Sequence, residues 1–178
     1  MLFMDGAHFV QLAFLGCLWS FTRIFIRSPS GRKRWNVLGA YNVITGQLTT
    51  VANDGYITAT TVCELLHKLA EQYAGLPIVI VLDNARYQRC KLVEDLAVEL
   101  GITLQFLPSY SPNLNLIERL WKFVKKKSLY NVYYETFADF VAGIMGCLSR
   151  AETDYNDELA PLMKPNFPDL KNGYSLAV

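Results

Sequence analysis

Histidine and paired cysteine are scarce in this chain. Of its 178 residues two are histidine, and the four cysteines, Cys17, Cys63, Cys90 and Cys147, form no CxxC or CxxH pair. That spacing speaks against a zinc site, and separated cysteines in a chain this apolar read as buried, reduced thiols of an intracellular protein. An excess of one charge is lacking too. Seventeen Lys and Arg against sixteen Asp and Glu leave a formal charge of +1, which gives no global pull toward nucleic acid or an acidic partner. The apolar run from Phe9 to Ile26 has the length of a membrane span, but Gln11, Ser20, Thr22 and Arg23 interrupt it, and strands around a turn fit better. It also lacks the basic start and small-residue cleavage site of a secretory signal. There is no internal repeat and no low-complexity segment.

What is present is enough for one sizeable core and too little for two ordinary domains: 52% of the residues are apolar and 13% aromatic. Charge is sorted locally. Arg23, Arg27, Arg32, Lys33 and Arg34 make one basic segment, and Arg119, Lys122, Lys125, Lys126 and Lys127 another. Glu152, Asp154, Asp157 and Glu158 make the end acidic. Such runs serve either as solvated faces or as phosphate contacts.

Leu2 to Val10 has the character of a strand, and Cys17 to Ile26 of a strand or irregular segment. Arg34 to Ile44 and Gln47 to Ala52 are β-branched runs joined at Thr45-Gly46, the pattern of an antiparallel hairpin. Thr61 and Glu64 have capping-box spacing, and Val62, Leu65, Leu66, Leu69 and Tyr73 form a helical stripe ended by Gly75. Pro77 to Asp83 is an apolar run of the kind a strand buried on both faces presents. A helix follows from about Gln88 to Leu100, with Leu92, Val93, Leu96 and Leu100 inward and Gly101 as its stop. Ile102 to Leu107 is a short strand. A last helix from near Thr136 buries Phe137, Phe140, Val141, Ile144 and Leu148. Beyond Arg150 the period fades into an irregular tail containing Pro161, Pro165, Pro168 and Gly173.

The most informative stretch is LPSYSPNLNLIERLWKFVKKK, Leu107 to Lys127. Ser111 is placed to cap a helix there, Pro112 to occupy its first position, and Ile117, Leu120, Trp121 and Val124 to form one buried stripe. Glu118 falls off that stripe on a polar line with Asn115, Lys122 and Lys125. Taken alone it is most simply read as half of an exposed pair with Lys122. Asp83, at the carboxyl end of its strand, stands where open α/β sheets bind ligands, and thirty-four residues separate it from Glu118. Asp5 lies inside the first strand, against its low β-propensity; with Gly6 it forms an alternative hairpin-turn signal.

Asp5 in FMDGAHF, WNVLGA from Trp35 to Ala40, Asp83-Asn84 in VLDNAR and the LPSYSPNLNLIERLW block with Glu118 together resemble the DDE transposases of the mariner superfamily, in its bacterial insertion-sequence branch. The likeness runs from the first residues to about Arg150. Two positions depart from the pattern: Gln88, where members often carry histidine, and Leu116, where they often carry proline. The chain also begins just before Asp5, where complete transposases carry helix-turn-helix modules. A split-frame product, an excised piece and a truncated remnant are all open expectations.

The resemblance implies an α/β, ribonuclease H-like fold over residues 1–150, a mixed five-stranded sheet flanked by helices, with 151–178 as tail. It implies that Asp5, Asp83 and Glu118 meet as catalytic residues at one sheet edge. Clustered carboxylates repel one another and call for cations, and oxygen donors without cysteine favour Mg²⁺ or Mn²⁺. Asp5 would bridge two ions, with Asp83 and Glu118 each completing one, for in-line attack on a phosphodiester. Arg32, Lys33, Arg34, Tyr110, Lys122, Lys125 and Lys126 are the expected DNA contacts, and Asn84 and Asn115 the supporting residues. Asn84 would orient Asp83 or a water, or simply form a turn; His8 is a substrate contact or a structural residue; Trp121 is core rather than a stacking platform. Implied partners are transposon ends, target DNA, further copies of the chain and a helix-turn-helix region, at the cytoplasmic nucleoid. The competing functions are a related endonuclease without strand transfer and a non-catalytic DNA-binding or dimerisation remnant.

Overall fold

The structure, a computed structural model, describes residues 1–11, 19–25, 32–108 and 112–164. Five strands form one mixed sheet: β1 (Leu2–Val10), β2 (Arg34–Asn42), β3 (Leu48–Asn53), β4 (Ile78–Leu82) and β5 (Ile102–Phe106), in the order β3-β2-β1-β4-β5. β1 to β3 are antiparallel neighbours, whereas β4 runs parallel to β1 and β5 parallel to β4. The helices are α1 (Ala59–Gln72), α2 (Lys91–Glu99), α3 (Ile117–Ser128), α4 (Phe137–Ser149) and the single turn α5 (Asn156–Leu159).

Strand alternation divides the core between the two faces of the sheet. Leu2 and Met4 of β1 join Leu38, Ile80 and Leu82 beneath α1 and α2. Phe3, Ala7 and Phe9 turn the other way, against Ile117, Leu120, Trp121 and Val124 of α3 and Phe140 and Ile144 of α4. Phe9 meets the Trp121 indole edge to face, 6.4 Å between centroids, an arrangement worth about 0.5–1.5 kcal/mol beyond the burial itself. The β2–β3 turn follows its sequence signal: Asn42 Oδ1 accepts from the Ile44 and Thr45 N–H groups, and Gly46 takes the positive φ of +76° that a side chain would resist.

Several boundaries differ from the sequence reading. α1 is capped from Thr58, whose N–H donates to Thr61 Oγ1 over 3.2 Å, so the box begins three residues before the Thr61–Glu64 pair. α2 starts at Lys91, leaving Gln88 in the preceding turn, and buries Val93 and Ala97 while Leu92 is 57% exposed. Leu96 and Leu100 pack against the same core, so of the four expected positions Leu92 alone turns outward, and Ala97 takes its place. Pro112 opens a 3₁₀ turn, Pro112–Leu114, and α3 begins only at Ile117; Ser111 lies outside the described residues. Trp19 to Phe25 is irregular and largely exposed, with no strand, and the rest of that expectation falls outside the described residues. The segment after Arg150 is not an irregular tail as far as Lys164. It makes α5, and Ala151, Leu159 and Met163 are buried in the α3–α4 core. Among the described residues no helix is long and apolar enough to cross a membrane.

Candidate active site

Leu2 pairs with Ile80 and Phe3 with Val81 across the parallel β1–β4 ladder. Continuing that register by two residues sets Asp5, in the middle of β1, opposite Asp83, the first residue beyond β4. Asp5 alternates with Phe3 and Ala7 onto the α3 side and is only 9% exposed. On its other flank it pairs with Gly39 of β2. A Cβ at position 39 would stand 2.7 Å from Trp121 Cη2, so the missing side chain is what lets the indole approach this strand pair so closely. The indole pulls the Asp5 pKa down, yet its buried Nε1 completes no hydrogen bond among the described residues.

Glu118 sits in the first turn of α3, where the helix dipole favours a carboxylate. Asn115 fixes where that turn begins. It is buried, donates from Nδ2 to the Met4 carbonyl over 3.0 Å, and leaves its own Oδ1 without a partner among the described residues. The sequence pattern puts it on the polar line of the helix; the structure puts it before the helix, where it ties α3 to the strand of Asp5. The three acids act on one another. Burial first and then Glu118 push the Asp5 pKa up to about 7; the Gly6 backbone N–H pulls back by more than Asp83 adds, and Trp121 lowers it least. Among the described residues no three acidic, histidine or cysteine side chains are drawn tightly enough to form a metal site as they stand.

Asp83 is held from behind. Its Oδ1 accepts from the Ala85 N–H over 3.0 Å. With the amide turned so that both its ends are satisfied, Gln88 Nε2 donates to the same Oδ1 over 2.5 Å and to the Asp83 carbonyl over 3.2 Å. Asn84 does not orient Asp83: Nδ2 donates to the Leu107 carbonyl over 2.6 Å and Oδ1 accepts from Arg89 over 2.9 Å. It braces the end of β4 against the segment that leads to Glu118. Tyr87, which no local pattern singles out, has its phenol pushed up to about 12 by burial, Asp5 and Asp83. It stays a proton donor.

The basic residues divide into two groups. Lys122 and Lys125 share the Glu118 line of α3, with Lys125 Nζ 5.8 Å from the Phe9 ring centroid. Glu118 forms no ion pair with Lys122; the ion pairs among the described residues are Lys68–Glu64 and Lys127–Glu158. Lys122 and Lys126 also line a cavity of about 540 Å³ with Arg119, Phe123, Lys127, Glu158 and Leu162. Arg32, Lys33 and Arg34 do not join the acids. Arg34 pairs with Val10, five residues along β1 from Asp5, or roughly 17 Å. Lys33 rests on Phe137 and Arg34 on Tyr56. Tyr110 lies outside the described residues. His8 is on the opposite face from Asp5, its Nδ1 2.6 Å from Asn36 Oδ1.

A central strand and its parallel neighbour that bring aspartates to one edge, with a glutamate delivered by a covering helix, make the architecture of ribonuclease H-like transposase and integrase catalytic cores. The chain belongs to the DDE superfamily endonucleases, whose family model matches residues 1–141. Solved structures share the fold. A pre-cleavage Mos1 transpososome aligns with a TM-score of 0.60 at 12% identity, over 94% of this chain and 56% of that one. The BIV integrase catalytic core aligns at 0.53 and 17% identity, over 88% and 83%. The HTLV-2 integrase core in complex with magnesium aligns at 0.53 and 10% identity, over 87% and 84%. An uncharacterized protein of Sinorhizobium fredii is 36% identical over 67 residues, 38% of this chain and 47% of its own length. The chain thus spans about half the length of the Mos1 chain and matches less than half of that relative.

Proposed function

We propose that this chain is the catalytic domain of a transposase, which cuts DNA strands at the ends of an insertion sequence and joins them to a target. The observation that carries this is Asp5: a carboxylate buried mid-strand whose proton is retained to about pH 7 because of its burial and the negative charge of Glu118 and Asp83. Isolated buried acids are rare without a partner, and a partner of opposite charge would turn this costly cluster into a favourable one.

The donor set is all oxygen, which suits Mg²⁺ or Mn²⁺, and Asp5, Asp83 and Glu118 are the residues that would hold such ions. Two such ions, when bound, supply activation of a water or 3′-hydroxyl and stabilise the leaving oxygen of a phosphodiester. The chain's own residues do the rest. Asp5 would give up its proton when a cation is held there. Gln88 and Ala85 hold Asp83, while Asn84 and Asn115 fix the approach and angle of the Glu118 helix. Lys122, Lys125 and Lys126 lie beside or beyond Glu118, where they would hold DNA phosphates without reading sequence. Likeness to a Mos1 transposase paired-end complex with a transposon end supports an assembly of this chain on transposon DNA.

The test is cleavage of a labelled duplex with Mg²⁺ or Mn²⁺ against EDTA, beside Asp83→Asn. Loss of cleavage in both EDTA and the variant is expected; cleavage that persists in Asp83→Asn would sink the assignment. Joined products formed from a pre-nicked end separate a transposase from an endonuclease that stops at cleavage.

A further inference from the structure

We propose that Gln88 is a positioning residue that selects which oxygen of Asp83 is offered to the cation. This rests on the reading of Asp83 as a metal ligand and adds the device that aims it. Gln88 is 0% exposed, although it sits in a turn at the carboxyl edge of the sheet rather than in a packed helix. A primary amide is costly to bury unless its polar atoms are used, and here the nitrogen is used on Asp83.

Two donors, the Ala85 N–H and Gln88 Nε2, converge on Oδ1, and Gln88 also holds the Asp83 carbonyl. Oδ2 receives no hydrogen bond from the described residues. A carboxylate gripped at one oxygen cannot turn freely about its Cβ–Cγ bond, and the ungripped oxygen keeps the greater electron density for a cation. Oδ2 is therefore the oxygen that Asp83 would offer to a cation.

The Gln88 amide is itself fixed. The Gln88 N–H donates to the Ala85 carbonyl over 2.9 Å, which closes the turn. The Tyr87 phenol interacts with the same amide, and the bare Gly6 leaves room for that phenol: a Cβ there would be 3.2 Å from its oxygen. Asp83, Gln88 and Tyr87 thus form one brace at the β4 end, packed where Gly6 of β1 carries no side chain.

The experiment is Mn²⁺ titration of the full chain followed by electron paramagnetic resonance, with thermal melts in EDTA as the fold control. Gln88→Met keeps length and burial but removes the donor. It is expected to bind Mn²⁺ at least about ten-fold more weakly, the size of effect typical for a lost hydrogen bond to a metal-binding carboxylate. Gln88→His, which restores a ring N–H, is expected to recover most of that loss. If Gln88→Met fails to fold, Gln88→Asn carries the comparison, because its amide stays polar but falls one methylene short of Asp83. Folded Gln88→Met or Gln88→Asn that binds Mn²⁺ like the wild type overturns the role of Gln88. Wild type that binds no Mn²⁺, or Asp83→Asn that binds it undiminished, overturns the metal-ligand reading and the role of Gln88 with it.

Discussion

Asn115 and Met4 are joined by a hydrogen bond across 111 residues of sequence, 3.0 Å from Nδ2 to the carbonyl oxygen. Met4 precedes Asp5, and Asn115 lies three residues before Glu118. One buried side chain thus sets the spacing between two acids that the chain itself holds far apart.

Replacing Asn115 by alanine removes that bond and leaves the Met4 carbonyl facing a void. The expected loss is about 1–3 kcal/mol, the cost of stranding a buried acceptor, read as a lower urea midpoint with unchanged m-value. Asn115→Asp, which sets oxygen against oxygen, is expected to cost more. Stability unchanged in both would mean that the tie to Met4 contributes nothing.

The metal-free protein is expected to lose stability as pH rises from about 4 to about 7. Folded Asp5 keeps its proton to about pH 7, whereas the unfolded chain releases it near 3.8. The folded state therefore binds the extra proton in that window, and its advantage is present below pH 4 and gone above pH 7. The separation is worth at most about 4 kcal/mol. Asp5→Asn flattens the profile, so the variant melts higher than the wild type at pH 8 in EDTA and loses that lead when Mn²⁺ is added. Parallel profiles for the two proteins would contradict the buried, mutually repelling cluster.

Gly39→Ala drives a methyl group into the Trp121 ring. Overpacking of this kind costs about 1–3 kcal/mol. In a Trp121→Phe background the smaller ring lacks the clashing atom, and the penalty of Gly39→Ala should fall below half its value in the parent. A double-mutant cycle by chemical denaturation measures this coupling; additive effects would show that the strand pair, not the indole, rejects the side chain.

Lys122→Ala and Lys126→Ala are each expected to weaken binding to any duplex sequence and to flatten the dependence of log affinity on log salt by about one. The measurement is fluorescence anisotropy in EDTA, where no cleavage intervenes. An unchanged slope in both variants would remove these lysines from the DNA path.

Residues whose placement is written in local pattern were readable in the sequence. Asp5 stands out as an acid in an apolar strand, Asp83 closes an apolar run, and Glu118 sits one step off the Ile117–Leu120–Trp121–Val124 stripe; the strand and helix order follows from the same periodicities. Residues whose role is tertiary were not readable. Asn115 looks like a helix-face amide until β1 is packed beside it, and Gln88 looks like the start of a helix until Asp83 turns back toward it. Pro112 is a good helix starter, but it starts a 3₁₀ turn because the buried Asn115 and Leu116 interrupt the run before Ile117. Leu159 and Met163 are spaced for one helical face, yet a two-residue signal among prolines is too short to separate from an irregular tail.

Glu152 accepts the Leu48 N–H at the outer edge of the sheet over 2.6 Å, and Leu159 and Met163 close the α3–α4 core. A chain emerging from the ribosome amino end first has all five strands in hand well before these residues appear. Until they do, β3 has one donor left open and Phe123 and Leu148 lack their cover, which are the exposures that invite strand addition and aggregation. The last cover over the α3–α4 core thus comes from a segment that contributes none of the three acids.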